Sequence, residues 1–138
     1  MSEAATTPRK GNRAVLIGMI LLSVTFAAVA QVTLKSGVNR VTDDTGGTLR
    51  LDGESLRALA GSPIVWLGLV LFGLSAIVWL VVLSRASLSF AYPFASLSYV
   101  LILVLGRFVL DERITSLRLA GVALIVAGVV LVGQTPHA

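Results

Sequence analysis

The chain has 138 residues, 56% of them hydrophobic and 13% charged, with 11 Lys and Arg against 7 Asp and Glu for a net charge of +4. Ordinary soluble domains are about 25% charged, and a mean hydropathy of +0.92 argues against a water-soluble globule. Because the basic residues flank apolar stretches and form no continuous patch, the pI near 10.4 does not point to a nucleic-acid partner.

Four windows hold no charge: 14–34, 58–84, 86–106 and 119–138. An α-helix crosses a hydrocarbon core of about 30 Å with about 20 apolar residues, so each window is a candidate span. Residues 1–13 read as a disordered polar tail, with Arg9, Lys10 and Arg13 ahead of the first apolar run. Residues 14–133 read as a single four-helix membrane domain, and 134–138 as a second tail. The first helix is expected over about 14–35. Its basic start, apolar body and the AVA before Gln31 also fit a cleaved secretory leader. The run continues through Val32 and Leu34, however, and three more spans follow, which favours a retained helix.

The loop 36–62 is the long polar connection. Asp43, Asp44, Gly46 and Gly47 make a turn, and a short helix over 52–60, N-capped by Asp52, is expected before Pro63. It reads either as an interfacial helix on the headgroups or as a plain connector. The second span covers about 63–84, with Pro63 in a favoured first position and Trp66 and Trp79 near its ends. The third covers about 87–110 and the fourth 117–133. Short connections at 84–86 and 111–116 make these three spans alternate in direction. One face of the membrane then carries Arg9, Lys10, Arg13 and Arg85, and the other Lys35, Arg40, Arg50, Arg57, Arg107, Arg113 and Arg118. The positive-inside rule leans towards a cytoplasmic first loop and leaves the orientation open.

In the third span Ser89, Tyr92, Ser96 and Tyr99 are spaced by three, four and three, which puts four hydroxyls on one face of a continuous helix, with Ser98 elsewhere. Pro93 lies in that face and cannot donate to Ser89, so the helix begins or kinks there and frees a carbonyl. The stripe reads as interhelical glue or as a cavity wall, and its coincidence with the break favours the cavity. In the first span Ala27, Gln31 and Lys35 share a face, and Lys35 can snorkel to phosphate level or act as a simple boundary charge. In the fourth, Gly121 and Gly128, with Ala120 and Ala127 alongside, let another backbone come close. That suits a dimer seam or packing within the subunit.

No Asp or Glu falls inside the windows. Asp111 and Glu112, beside Arg113, are expected to pair or cap at the end of the third span. A proton-driven cation exporter needs a buried carboxylate of raised pKa, and none is available. The chain has no cysteine, and His137 alone cannot build a metal site. Without a nucleophile–base pair or a phosphate loop, no enzymatic activity, metal or cofactor is expected.

The stretch VLDERITSLRLAGVALIVAGVVLVG (109–133), and within it the GxxLIxxGV pattern at 121–129, resembles the small multidrug resistance family and the wider drug/metabolite transporter superfamily. The resemblance implies an all-α, four-span membrane protein that works as a dimer, with Gly121, Ala127 and Gly128 at the interface. Two departures stand against the drug-export branch. Aligning Lys35 with that family's lysine puts Ala27 at its embedded glutamate, and AYPFA (91–95) puts Ala95 at its substrate-facing tryptophan. The segments AYPFASLSYV (91–100) and AQVTLKSG (30–37) are similar instead to subunits of the undecaprenyl-phosphate aminoarabinose flippase. That likeness implies a polyprenyl-phosphate-linked sugar or related anionic lipid as cargo, and a homodimer, or a heterodimer with a related small subunit, in a bacterial cytoplasmic membrane.

On this reading Lys35, with Arg85 or Arg107, meets phosphate, while Gln31, Ser89, Tyr92, Ser96 and Tyr99 hold sugar hydroxyls and Pro93 is the hinge. An exporter of small cations or metabolites with the same fold, and a non-transporting subunit that assists a glycosyltransferase, are the alternatives.

Overall fold

A computed structural model describes residues 10–44, 46–47 and 50–136. The start of the expected polar tail (1–9, with Arg9), residues 45, 48 and 49 of the loop turn, and the last two residues, with His137, lie outside the described residues. Six helices follow one another: α1 (Lys10–Asp44), α2 (Gly53–Ala60), α3 (Pro63–Leu83), α4 (Leu88–Ala95), α5 (Ser98–Val109) and α6 (Ser116–Gly133). No strand occurs among the described residues. Four stretches are long and apolar enough to cross a bilayer: within α1, α3, α4 and α5 taken together over 22 residues, and α6. The protein is an all-α, multi-pass membrane protein.

Helix α1 runs past both expected ends. At its start, the Arg13 guanidinium donates to the carbonyls of Gly133 and Thr135, tying the first turns to the end of α6. Beyond Lys35 the helix goes on for nine residues, because Val38 and Val41 continue the apolar spacing from Leu34 and Val41 is buried. The first third of the expected loop is therefore helix. In α2, the Asp52 side chain caps the helix by accepting the Ser55 N–H at 2.8 Å. That bond holds the Asp52 carboxyl below the usual carboxylate range. Trp66, in the first turn of α3, donates its indole N–H to Ala60 O at 2.7 Å and so fixes the α2–α3 corner.

Packing between α1 and antiparallel α3 organises the bundle. Two glycines let the helices close. A Cβ on Gly68 would stand 2.7 Å from Leu34 Cγ, and one on Gly37 would stand 2.8 Å from Val65 Cγ2. Deeper in the membrane, Ser23 Oγ donates to Ser75 O and Ser75 Oγ donates to Ser23 O, each at 2.9 Å. The reciprocal pair satisfies both buried hydroxyls without water. Below it, Leu16, Ile20 and Val24 of α1 meet Val82, Phe90, Ala91, Phe94 and Val129 in one apolar core. These contacts set the directions: α1 up, α3 down, α4 and α5 up, α6 down. From Arg13 to Lys35 the helix rises about 33 Å, one hydrocarbon core.

The third span is interrupted, three residues later than Pro93 itself. Pro93 lies inside α4. Its carbonyl accepts both the N–H of Ser96 at 3.1 Å and the Ser96 hydroxyl. The Leu97 N–H, deprived of that carbonyl, turns to Phe94 O at 3.0 Å, and Tyr99 and Val100 likewise bond three residues back. Side-chain competition for one carbonyl thus tightens the helix at Ser96–Leu97 and resets the register of α5.

Candidate functional site

A cavity of about 260 Å³ opens where α1, α3 and the α4–α5 junction meet. It is lined by Ser23, Val24, Ala27 and Gln31 of α1, Phe72, Ser75, Ala76 and Trp79 of α3, and Ala95 and Ser98 at the junction. On α1 the lining runs from Ser23 to Gln31, about 18 to 6 Å below Lys35, so the cavity lies at the middle of the bilayer. Ala27 and Ala95 make the room, since a larger side chain at either would enter it. Ser23 and Ser75 donate their hydroxyls to each other's carbonyls, leaving the Gln31 amide, the Ser98 hydroxyl and the Trp79 indole N–H without a hydrogen bond among the described residues. No lining residue is ionisable.

Above the cavity, Lys35 Nζ pairs with the Glu112 carboxylate and joins α1 to the end of α5. A left-handed Asp111 (φ 52°) makes the turn, and the Glu112 N–H returns to Gly106 O at 3.0 Å. Gly106 is buried under Glu112, whose Oε2 would stand 3.2 Å from a Cβ there. Asp111 itself pairs with Arg107 at 2.6 Å. The two acids therefore pair with Arg107 and Lys35, on their own helix and on α1, and not with their neighbour Arg113. A second cavity, of about 330 Å³, lies between α5 and α6 and is lined by Tyr99, Ile102, Leu103, Glu112, Ile114, Arg118 and Val122.

The other expected site residues are dispersed. Tyr92 is exposed and sets its ring edge-on to Trp79, with centroids 5.8 Å apart. Ser89 is exposed beside Ser87, 3.4 Å between oxygens. Ser96 is held by Pro93, and Tyr99 faces the second cavity. The hydroxyl stripe thus lies off the central cavity, which takes Ala95 and Ser98, three residues apart, instead. Arg85 is exposed at the Arg13 end of the bundle, opposite Lys35 and Arg107. Gly121, Ala127 and Gly128 are exposed on α6, and nothing stands within 4 Å of a Cβ on either glycine.

Comparison with known proteins gives the family. Over 119 residues the chain is 37% identical to the probable 4-amino-4-deoxy-L-arabinose-phosphoundecaprenol flippase subunit ArnE of Pseudomonas aeruginosa (strain UCBPP-PA14), covering 85% of this chain and 96% of that protein. The chain belongs to the ArnE family. The ArnE of Pseudomonas savastanoi pv. phaseolicola is 32% identical over 116 residues, 84% of this chain and 95% of its own length. The ArnE of Pseudomonas paraeruginosa reaches 45% over 73 residues, covering 53% of this chain and 64% of its own. No family model and no solved structure matches the chain.

For an ArnE-type chain, the cavity residues that sequence reasoning passed over are instructive. Ser75 is the sole hydroxyl in the interior of the second window, and Ser23 is one of three in the first. The lone Ser75 was a signal for an interhelical pair, and Ser23 is its partner because Thr25 and Thr33 bond back to Leu21 O and Val29 O of their own helix. Ser98 had a different signal: it lies three residues beyond Ala95, the position aligned with the related family's substrate-facing tryptophan, and so on the same helical face.

Proposed function

We propose that this chain is one subunit of a flippase that carries a polyprenyl-phosphate-linked sugar, the class of cargo named for its ArnE relatives, across a bacterial cytoplasmic membrane. The observation that carries the reading is the mid-bilayer cavity with a free amide, a free hydroxyl and no ionisable wall. Sites for whole drug-sized ligands occupy about 300–1,000 Å³. The cavity is at or below that range, so it takes a headgroup while the lipid chain stays in the bilayer. Gln31 and Ser98 exchange hydrogen bonds with sugar hydroxyls that have left water, where an unmade bond is costly. A cation exporter needs an acid in this position, and Ala27 stands there instead.

Arg85 suits the phosphate at one membrane face; at the other, Lys35 and Arg107 are held by Glu112 and Asp111 and meet phosphate by exchanging those partners. Tyr92 supports the Trp79 wall, and the Pro93–Ser96 unit supplies the bend for alternating access. Ser89 and Tyr99 lie outside the cavity in this conformation and reach cargo only if the bend swings. The Gly121–Ala127–Gly128 face of α6 would meet a second copy or a related small subunit.

The test is display of the lipid-linked sugar in the outer leaflet of cells that depend on this chain, read with a membrane-impermeant sugar label. Gln31→Leu and Ser98→Val should each lower labelling about fivefold or more, the scale of one lost buried hydrogen bond, at normal protein levels. Wild-type labelling in both variants would remove the cavity from the mechanism.

A further inference from the structure

The α5–α6 cavity is larger than the central one and differs from it in kind. Glu112 in its wall is neutralised by Lys35, which leaves Arg118 as its uncompensated charge. The Arg118 guanidinium has no ion-pair partner among the described residues, while its backbone N–H is taken by Thr115 Oγ1 at 3.3 Å. The first turn of α6, which carries Arg118, holds no acidic residue, so the positive end of the helix dipole adds to the same field. Tyr99, at the lower end of the cavity on ascending α5, offers a phenol whose hydroxyl makes no hydrogen bond among the described residues. Ile114 stands level with Arg118, and below them the walls are Leu103, Ile102 and Val122, with Val122 about 6 Å deeper than Arg118 along α6. The polar mouth is level with Lys35 and Glu112, at the membrane boundary.

We infer that the α5–α6 cavity is a binding site for a lipid-borne phosphate, held by Arg118 at the boundary with the first carbons of its chain along the apolar wall. A guanidinium presents a planar fork that matches a phosphate's oxygens, and the descending hydrocarbon wall excludes a free inorganic anion as the natural occupant. The site takes Tyr99, Ile102 and Leu103 from α5 where the central cavity takes Ser98, and it does not depend on sugar entering that cavity. Two lipids share the chemistry: an isoprenoid phosphate and an ordinary anionic phospholipid.

The full chain in detergent micelles, titrated by native mass spectrometry with undecaprenyl phosphate, undecaprenol and phosphatidylglycerol, tests the site. Undecaprenyl phosphate should bind at least about tenfold more tightly than undecaprenol, the scale of one charged hydrogen-bonded pair. Arg118→Ala should abolish that preference and Arg118→Lys should restore part of it. Arg113→Ala, which removes the same charge outside the cavity lining, should leave it within twofold. Equal binding of phosphatidylglycerol assigns the site to bulk lipid, and weaker binding assigns it to the cargo class; either supports a lipid phosphate. Wild-type affinity in Arg118→Ala, equal losses in Arg118→Ala and Arg113→Ala, or equal binding of undecaprenol overturns it. Loss of labelling in the Gln31 and Ser98 variants bears on the flippase reading alone, so failure of one proposal is distinguishable from failure of the other.

Discussion

Asp111 carries an unusual share of the architecture for one exposed side chain. It is the sole non-glycine residue of positive φ among the described residues, in a region that aspartate tolerates and β-branched residues do not. The left-handed turn sends Asp111 back to Arg107 and delivers Glu112 across buried Gly106 to Lys35. Asp111→Asn should keep the turn and shift thermal stability little. Asp111→Val should strain it by about 1–3 kcal/mol and misdirect Glu112, seen as a lowered melting temperature of the purified protein. Equal melting of the two variants would mean that the turn is set by α5 and α6 alone. At this same scale the sequence was least legible. Adjacency in the chain pointed Asp111 and Glu112 towards Arg113, whereas a left-handed residue reverses the chain and hands each acid to a more distant cation.

Among the elements, the existence of four spans was written in the charge-free windows, because a bilayer tolerates almost no unpaired charge at depth. Their ends were less legible. Helix α1 outlasts its apolar window because Val38 and Val41 keep an apolar stripe going beyond the boundary, and polar residues outside the bilayer cost a helix little. The break in the third span was legible in kind from Pro93 but not in place, since Ser96 chooses it by competing for the Pro93 carbonyl. The α1–α3 contact makes its own prediction. A Cβ on Gly68 would meet Leu34 Cγ at 2.7 Å and Leu34 N at 3.0 Å, so backbone as well as side chain must move. Gly73, one and a half turns further along the same helix, has nothing within 4 Å. Gly68→Ala should therefore cost about 1–3 kcal/mol while Gly73→Ala is near neutral, measured by denaturant unfolding in micelles. Similar costs would show that the helices do not close on Gly68.

At the scale of the whole molecule, the bundle is lopsided. Helices α1, α3 and α4 share the core, while α6 contributes one buried residue, Val129, and is otherwise largely uncovered. In lipid an exposed leucine needs no partner, but a face of glycine and alanine gains little from acyl chains and much from a close-fitting helix. Gly121 and Gly128, seven residues apart, lie on one such face beside Ala127, with open space where each side chain would be. Leucine at both positions would therefore start into open space and leave the monomer fold intact, yet it would hold an approaching backbone away. Gly121→Leu with Gly128→Leu should weaken association by about tenfold or more, a loss of at least about 1.4 kcal/mol, read by single-molecule photobleaching in bilayers. Because the chain has no cysteine, Gly121→Cys introduces its sole thiol, and oxidation should cross-link it to a second copy similarly labelled if the pair is homodimeric. Undiminished association in the double variant would put the seam on another helix. Weakened association without a cross-link would leave the seam on α6 and make the partner a different small subunit.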